Sequence, residues 1–181
     1  MSNGFVDLAI ADDGWKAALP DLAVLADQGA RLALDSAGLQ AADWSVCILA
    51  TSDAEIARLN HEFRGKAGAT NVLSWPAFDL VRERPGALPE LPPRPDSGLR
   101  CPLGDVALAL QTIEAEAKNA AIPLKDHVIH LILHGCLHLL GFDHRIDEDA
   151  ETMERIEGEA LARIGVPDPY LRRDPGRSAA P

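Results

Sequence analysis

The stretch Leu124–His144, LKDHVIHLILHGCLHLLGFDH, determines how the rest of the chain can fold. Apolar residues surround a predicted helix over Leu124–Leu140 on nearly every side, which indicates a buried helix at the centre of the domain. His134 and His138 lie one turn apart on one face of that helix. Gly141 supplies the backbone freedom to end the helix and turn the chain, so His144 can approach the pair from another direction.

Three imidazoles at this spacing predict a site for one metal ion bound by His134, His138 and His144. Three nitrogen ligands leave a fourth tetrahedral position open, as in catalytic rather than structural zinc, so the expected cofactor is one Zn²⁺ ion. The alternative is a cluster of hydrogen-bonded histidines, because buried imidazoles without partners would be costly. His127 and His130 fall on the same helix face, where they either orient a ligand or make structural contacts.

Outward from this helix, the hydrophobic pattern predicts a single α+β domain: a small mixed β-sheet covered by helices, with a central metal-binding helix. The predicted strands are Phe5–Ile10, Trp44–Ala50, Asn71–Phe78 and Leu103–Leu110, and Pro76 places the third at an edge or at its end. The predicted helices run from Pro20 to Gly38, from a capping box at Ser52 and Glu55, over Thr112–Ala120 and Leu124–Leu140, and from a cap at Asp147 to Ile164.

The domain is expected to span residues 1–171, with a flexible tail over 172–181. Residues 79–102 contain six prolines and no periodic pattern, and we interpret them as an exposed, partly disordered loop insertion between two strands. A polyproline ligand for a partner protein is the functional alternative.

Composition limits the classes of function. The 181 residues carry a net charge of −11, which argues against a generally basic nucleic-acid binder, although Arg64 and Lys66 could form a local basic groove. No apolar run is long enough for a membrane helix and no signal-peptide pattern is present, so a cytoplasmic location without membrane contact is expected. Three cysteines without a CxxC pair argue against a disulfide framework.

The histidine spacing matches the HxxxHxxGxxH framework of zinc peptidases, but Gly135 stands where their catalytic glutamate would be. Glycine cannot accept a proton from metal-bound water, so a peptidase would need another base. A metal ion can also neutralise developing charge on a phosphoryl oxygen. Arg64, just before Gly65, is the best local candidate to bind a phosphodiester, because its planar guanidinium suits phosphate oxygens.

The motif over His134–His144 resembles the signature of the YbeY family of bacterial endoribonucleases and rRNA maturation factors. Three further segments are similar to that family in the same order: LN and FRG over Leu59–Gly65 with TNVLSWP over Thr70–Pro76, LGDV over Leu103–Val106, and PDPY over Pro167–Tyr170. Asn71 stands at a position often filled by Asp and Trp75 at one usually filled by Phe, which excludes a carboxylate role at position 71.

The resemblance implies a zinc-dependent, single-strand-specific endoribonuclease acting in 16S rRNA 3′-end maturation and late-stage ribosome quality control. It implies that His134, His138 and His144 bind zinc and that Arg64 is the catalytic arginine at the scissile phosphate. The implied partners are rRNA and the small ribosomal subunit, together with ribosomal or assembly proteins. A non-catalytic zinc-containing assembly factor and a metallopeptidase are the alternatives.

The general base is unassigned at this point. Asp105 and Asp143 are the nearest carboxylates by motif, and structural roles are preferred for both: Asp105 holding a strand end and Asp143 capping a turn.

Overall fold

Four short apolar segments form one mixed β-sheet in the computed structural model, which describes residues 4–93 and 100–171. The strands are β1 (Val6–Ile10), β2 (Trp44–Thr51), β3 (Val72–Pro76) and β4 (Cys101–Ala109), in the spatial order β1-β2-β4-β3. β1 and β4 run parallel to β2, whereas β3 runs antiparallel to β4. β3 is an edge strand that ends at Pro76, as the sequence predicts.

The helices pack on both faces of this sheet. They are α1 (Gly14–Ala18), α2 (Leu22–Ser36), α3 (Asp53–Arg64), α4 (Leu110–Asn119), α5 (Leu124–Leu139) and α6 (Asp147–Ala162). The predicted α+β class, mixed sheet and central histidine helix are confirmed. Within the described ranges, none of these helices combines the length and the hydropathy that crossing a bilayer would require.

Helix α5 lies between α2 and the sheet, in contact with β3, β4, α4 and α6. Its apolar side chains, among them Ile132, Leu133 and Leu137, are completely buried. Gly135 faces the sheet at close range: a Cβ atom at this position would lie 2.9 Å from Cγ1 of Val106 and 3.3 Å from Cγ2 of Val72. The glycine therefore lets the helix that carries the histidines sit directly on β3 and β4.

Two details of the predicted helix ends are wrong. Ser52 Oγ accepts a hydrogen bond from the Glu55 backbone N–H at 3.4 Å, but the Glu55 carboxylate pairs with Arg58 instead of returning to Ser52, so only half of the capping box forms. Asp147 is the first residue of α6 rather than its cap, because Ile146 occupies the capping position. Its negative charge still favours the helix N-terminus. The short helix α1 is not predicted by the sequence pattern.

Most of the described part of the proline-rich insertion is exposed, but its first part is anchored to the domain. Pro89 and Pro92 are buried. Arg82 donates two hydrogen bonds, at 2.9 and 3.2 Å, to the Gly141 carbonyl and forms an ion pair with Asp149. The first part of the insertion therefore packs against the connection between α5 and α6, because Arg82 satisfies an open carbonyl there. Residues 94–99 and the predicted tail over 172–181 lie outside the described residues.

Candidate metal centre and its cavity

The structure brings together the three histidines that the sequence predicts as ligands. The Nε2 atoms of His134 and His138 face each other at 3.1 Å. Gly141 follows α5 with a φ of +84°, a conformation that glycine adopts without strain, and the turned chain carries His144 back to the pair. One ring nitrogen from each of the three histidines lies within 4.8 Å of the other two.

The other ring nitrogens of His134 and His138 are held by acceptors. His138 Nδ1 donates to the Phe142 carbonyl oxygen at 2.8 Å, and His134 Nδ1 donates to Glu157 Oε1 at 2.8 Å. With both Nδ1 atoms protonated, both Nε2 atoms direct lone pairs toward the same point, which is how metal-binding histidines are held in proteins. The residues present therefore fit a divalent metal ion better than the alternative of a purely hydrogen-bonded histidine cluster.

Burial and then the neighbouring His134 lower the pKa of His138 to about 4. The imidazole of His138 is therefore neutral near pH 7, and neutral imidazole is the form that binds a metal.

Glu157 is the functional residue that the sequence analysis missed. Its carboxylate is completely buried and accepts hydrogen bonds from His134 Nδ1, from His130 Nε2 at 2.7 Å and from the Tyr170 hydroxyl at 2.6 Å. Burial alone would raise the pKa of Glu157, but the hydrogen bonds from His130 and His134 together outweigh burial and hold this pKa below its usual range. His130 thus supports a predicted ligand indirectly, through this carboxylate.

A signal for Glu157 is present in the sequence. It stands four residues after Met153 and four before Leu161, so it falls on the apolar face of α6. A carboxylate on that face must be buried with partners.

The histidines open onto a large cavity of about 990 Å³. Its charged lining comprises four basic side chains, Arg64, Lys66, Arg82 and Arg145, and three acidic ones, Asp79, Glu116 and Asp143. Arg64 is exposed at the C-terminal end of α3, and its side chain makes no hydrogen bond or ion pair with the rest of the described chain. Arg64 and the metal centre thus share one cavity, and the predicted catalytic role of this arginine stays a prediction.

The structure agrees with the preferred role of Asp143 but not with that of Asp105, which lies in the middle of β4 rather than at a strand end. Asp143 Oδ1 accepts from the His144 backbone N–H at 2.8 Å and fixes the turn that carries this histidine. Asp105 is exposed on the opposite face of the sheet from α5, beside Cys47. Burial and then the Asp105 carboxylate raise the pKa of the Cys47 thiol. Because Asp105 faces away from α5, it is too far from the histidines to orient one. Trp75 lies on this same face, where it packs edge to face on Phe63 at 5.7 Å.

The surroundings of Gly135 also bear on the peptidase alternative. A side chain here would meet Val106 and Val72 rather than the open cavity. A glutamate at position 135 would therefore be driven into the sheet rather than into the cavity, where a peptidase base would have to lie.

Taken together, fold and site define an α+β domain with a three-histidine centre in an open, polar cavity. The model of the family described as endoribonuclease YbeY matches residues 12–165. Among similar chains, the endoribonuclease YbeY of Jannaschia sp. strain CCS1 is 49% identical over 91% of this chain and 99% of its own length. That of Maricaulis maris strain MCS10 is 42% identical over 94% of both chains.

A solved structure shows the same fold. The solution structure of TM1509 from Thermotoga maritima matches 96% of this chain and 99% of its own, with a TM-score of 0.50 and 20% identity. The chain belongs to the endoribonuclease YbeY family. Membership supports an endoribonuclease role, that is, a nuclease that hydrolyses RNA phosphodiester bonds.

Proposed function

We propose that this chain is a zinc-dependent, single-strand-specific endoribonuclease that acts in 16S rRNA 3′-end maturation and late-stage ribosome quality control. The observation that carries the proposal is the pair of Nε2 atoms of His134 and His138, which face each other while acceptors hold both Nδ1 atoms. His144 completes the ligand set. Membership of an endoribonuclease family supports RNA as the substrate.

Each part of the site has a distinct task in this proposal. A bound zinc ion would supply a Lewis acid that stabilises negative charge on the phosphoryl group and lowers the pKa of water. Glu157 and the Phe142 carbonyl hold the two helical imidazoles in the tautomer that binds metal. Arg64 binds the scissile phosphate, with Lys66 beside it on the adjacent loop.

The cavity reconciles an acidic protein with an RNA substrate. The whole chain carries a net charge of −11, yet the cavity lining has more basic than acidic side chains. Two of these basic side chains, Arg64 and Lys66, form no ion pair with the described residues, so they can attract a phosphate to the cavity although the chain as a whole is acidic. We extend the proposal to a cytoplasmic location and to the small ribosomal subunit, with ribosomal or assembly proteins, as the partners that present the RNA.

Cleavage of defined RNAs by purified protein tests the proposal. Wild-type protein loaded with zinc should cut single-stranded RNA, spare the duplex of the same sequence and lose activity on chelation. His138→Ala should abolish cleavage, whereas His61→Ala, an exposed histidine of α3 outside the cavity, should not. A folded, zinc-free His138→Ala protein that cleaves no RNA in vitro but still restores rRNA 3′ ends in a depleted strain would favour the non-catalytic assembly factor.

Arg64 is tested separately by charge reversal. Arg64→Glu should suppress RNA cleavage while the bound zinc stays constant, because the arginine lines the cavity without contacting a ligand. Arg163→Glu, an exposed arginine at the end of α6, is the matched control. Loss of zinc from Arg64→Glu would instead show that the arginine supports the fold of the site.

A further inference from the structure

A second polar cluster lies in the same cavity, on the side away from His138. It consists of Asn71 just before β3, Glu116 on α4 and His127 on the first turn of α5, all of which line the cavity. Glu116 Oε2 accepts from His127 Nε2 at 2.8 Å, and Asn71 Nδ2 donates to both Glu116 oxygens, at 3.1 and 3.0 Å. The cluster therefore joins three elements at one carboxylate.

The orientation of each partner in this cluster is fixed. Asn71 Oδ1 accepts from the Val72 backbone N–H at 2.7 Å, so the amide nitrogen must point at Glu116. A carboxylate accepts only, so His127 Nε2 carries the proton in the bond between them. Three elements thus determine where the Glu116 carboxylate sits before any ligand arrives, which is the preorganisation that a binding group requires.

Glu116 also remains open to the cavity. Its side chain is 40% exposed, whereas that of His127 is 13% exposed. A carboxylate offers about four acceptor positions. The geometry thus leaves Glu116 able to accept hydrogen bonds from a molecule that enters the cavity.

The charge of Glu116 selects the kind of group that it can bind. A phosphate would be repelled, and Arg64 and Lys66, which line the same cavity and form no ion pair with the described part of the chain, suit phosphates better. A neutral donor, either an N–H of an unpaired base or the 2′-hydroxyl of a ribose, can bond to the carboxylate.

The position of the cluster places that donor away from the scissile bond. His127 and His134 are seven residues apart on α5, which corresponds to about 10.5 Å along the helix axis. His130 lies between them, with its ring centroid 6.2 Å from each neighbour. At about 3.4 Å of rise per stacked nucleotide, this distance corresponds to about three nucleotides of a bound strand.

We propose that Glu116, held by Asn71 and His127, binds an N–H or 2′-hydroxyl donor of an unpaired nucleotide about two or three positions from the cleaved bond. The cluster then sets the register of the RNA, while Arg64 and the three histidines act on the phosphate. This inference rests on the proposed endoribonuclease function and adds to it a nucleotide subsite.

A scan of the substrate tests the subsite. In a short single-stranded RNA, each position in turn carries a 2′-deoxy sugar or a base that lacks one donor, such as inosine for guanosine. Both kcat/KM for cleavage and the Kd from fluorescence anisotropy without added metal are measured for wild type, Glu116→Gln and Glu116→Asp. Glu114→Gln, an exposed glutamate of the same helix outside the cavity, is the control.

Wild type and Glu114→Gln should lose about tenfold or more in kcat/KM when the donor at one position is removed, as expected for a hydrogen bond to a charged group. Glu116→Gln should start about tenfold lower and lose nothing further at that position, with zinc content unchanged. Comparison of the 2′-deoxy substrates with the base-modified substrates identifies whether Glu116 binds a 2′-hydroxyl or a base N–H. If Glu116→Gln does not fold, Glu116→Asp should show the same loss of positional effect, because its shorter side chain withdraws the carboxylate.

If Glu116→Gln kept the wild-type loss at that position, or if no single position mattered in wild type, the subsite would be overturned and the cluster would be a structural link only. Failure of wild type to cleave RNA would count against the proposed function alone. The positional pattern in Kd would still confirm or refute the Glu116 contact.

Discussion

Replacing Glu157 with glutamine tests how the metal centre is held. The buried carboxylate accepts three hydrogen bonds, from His130, His134 and Tyr170. Glutamine has nearly the same shape, but one oxygen becomes an NH₂ group that can only donate. At least one of the three donors then faces another donor, and His134 loses the negative partner that fixes its Nδ1–H tautomer.

The size of the effect follows from these contacts. Loss of a hydrogen-bonded partner of a metal ligand costs about 10- to 100-fold in metal affinity. A lost hydrogen bond to a charged group costs about 1.5–3 kcal/mol, so Glu157→Gln should also lower the free energy of unfolding of the metal-free protein by about that amount. Glu159→Gln on the same helix is the control, because Glu159 is exposed and pairs only with Arg155 among the described contacts.

Competition with a chromophoric chelator measures zinc affinity, and urea denaturation measures the free energy of unfolding. Glu159→Gln should leave affinity unchanged and alter stability by less than about 0.5 kcal/mol. Wild-type zinc affinity in folded Glu157→Gln would refute the reasoning that this carboxylate orients the ligand.

Three other predictions follow from the geometry. His138 has a pKa of about 4 in the fold and about 6.5 when unfolded, so the unfolded state takes up the proton first. The free energy of unfolding of the metal-free protein should therefore fall by on the order of 3 kcal/mol between about pH 6.5 and about pH 4. In urea denaturation, His138→Asn should show a flatter dependence of this free energy on pH. Gly135→Glu should lower the free energy of unfolding by at least about 3 kcal/mol without creating peptidase activity, because the new side chain overpacks Val106 and buries a charge. Near-wild-type stability in urea would contradict the close packing. Arg82→Ala should make residues 79–93 more sensitive to limited proteolysis at unchanged zinc affinity, because the contacts to Gly141 and Asp149 are lost. An unchanged proteolysis pattern would show that the arginine does not hold the insertion.

The parts of the fold that the sequence predicts well are those set by local pattern. Helix α5 follows from its apolar run, and the edge position of β3 follows from Pro76, because proline cannot donate to a ladder. The three histidines could be grouped because helical spacing and Gly141 alone bring them together. These three histidines lie within ten positions of one another in the chain.

The features that the sequence analysis missed depend on contacts between distant segments. Glu157 meets His134 across 23 positions, and Arg82 meets Asp149 across 67. The spacing of Glu157 places it on the apolar face of α6 but does not identify His134 as its partner, and Arg82 lies in a segment without any periodic pattern. Asp105 is the opposite case, a residue near a family motif that does not reach the site. Strand alternation turns it to the other face of the sheet from its neighbour Val106.

The central claim is that His134, His138 and His144 bind one zinc ion. Elemental analysis of the purified wild-type, His138→Ala and His61→Ala proteins, each shown to be folded by circular dichroism, tests it most directly. We predict about one zinc per chain in wild type and His61→Ala and almost none in His138→Ala. Full zinc content in folded His138→Ala, or none in wild type purified and reloaded with zinc, would contradict the account.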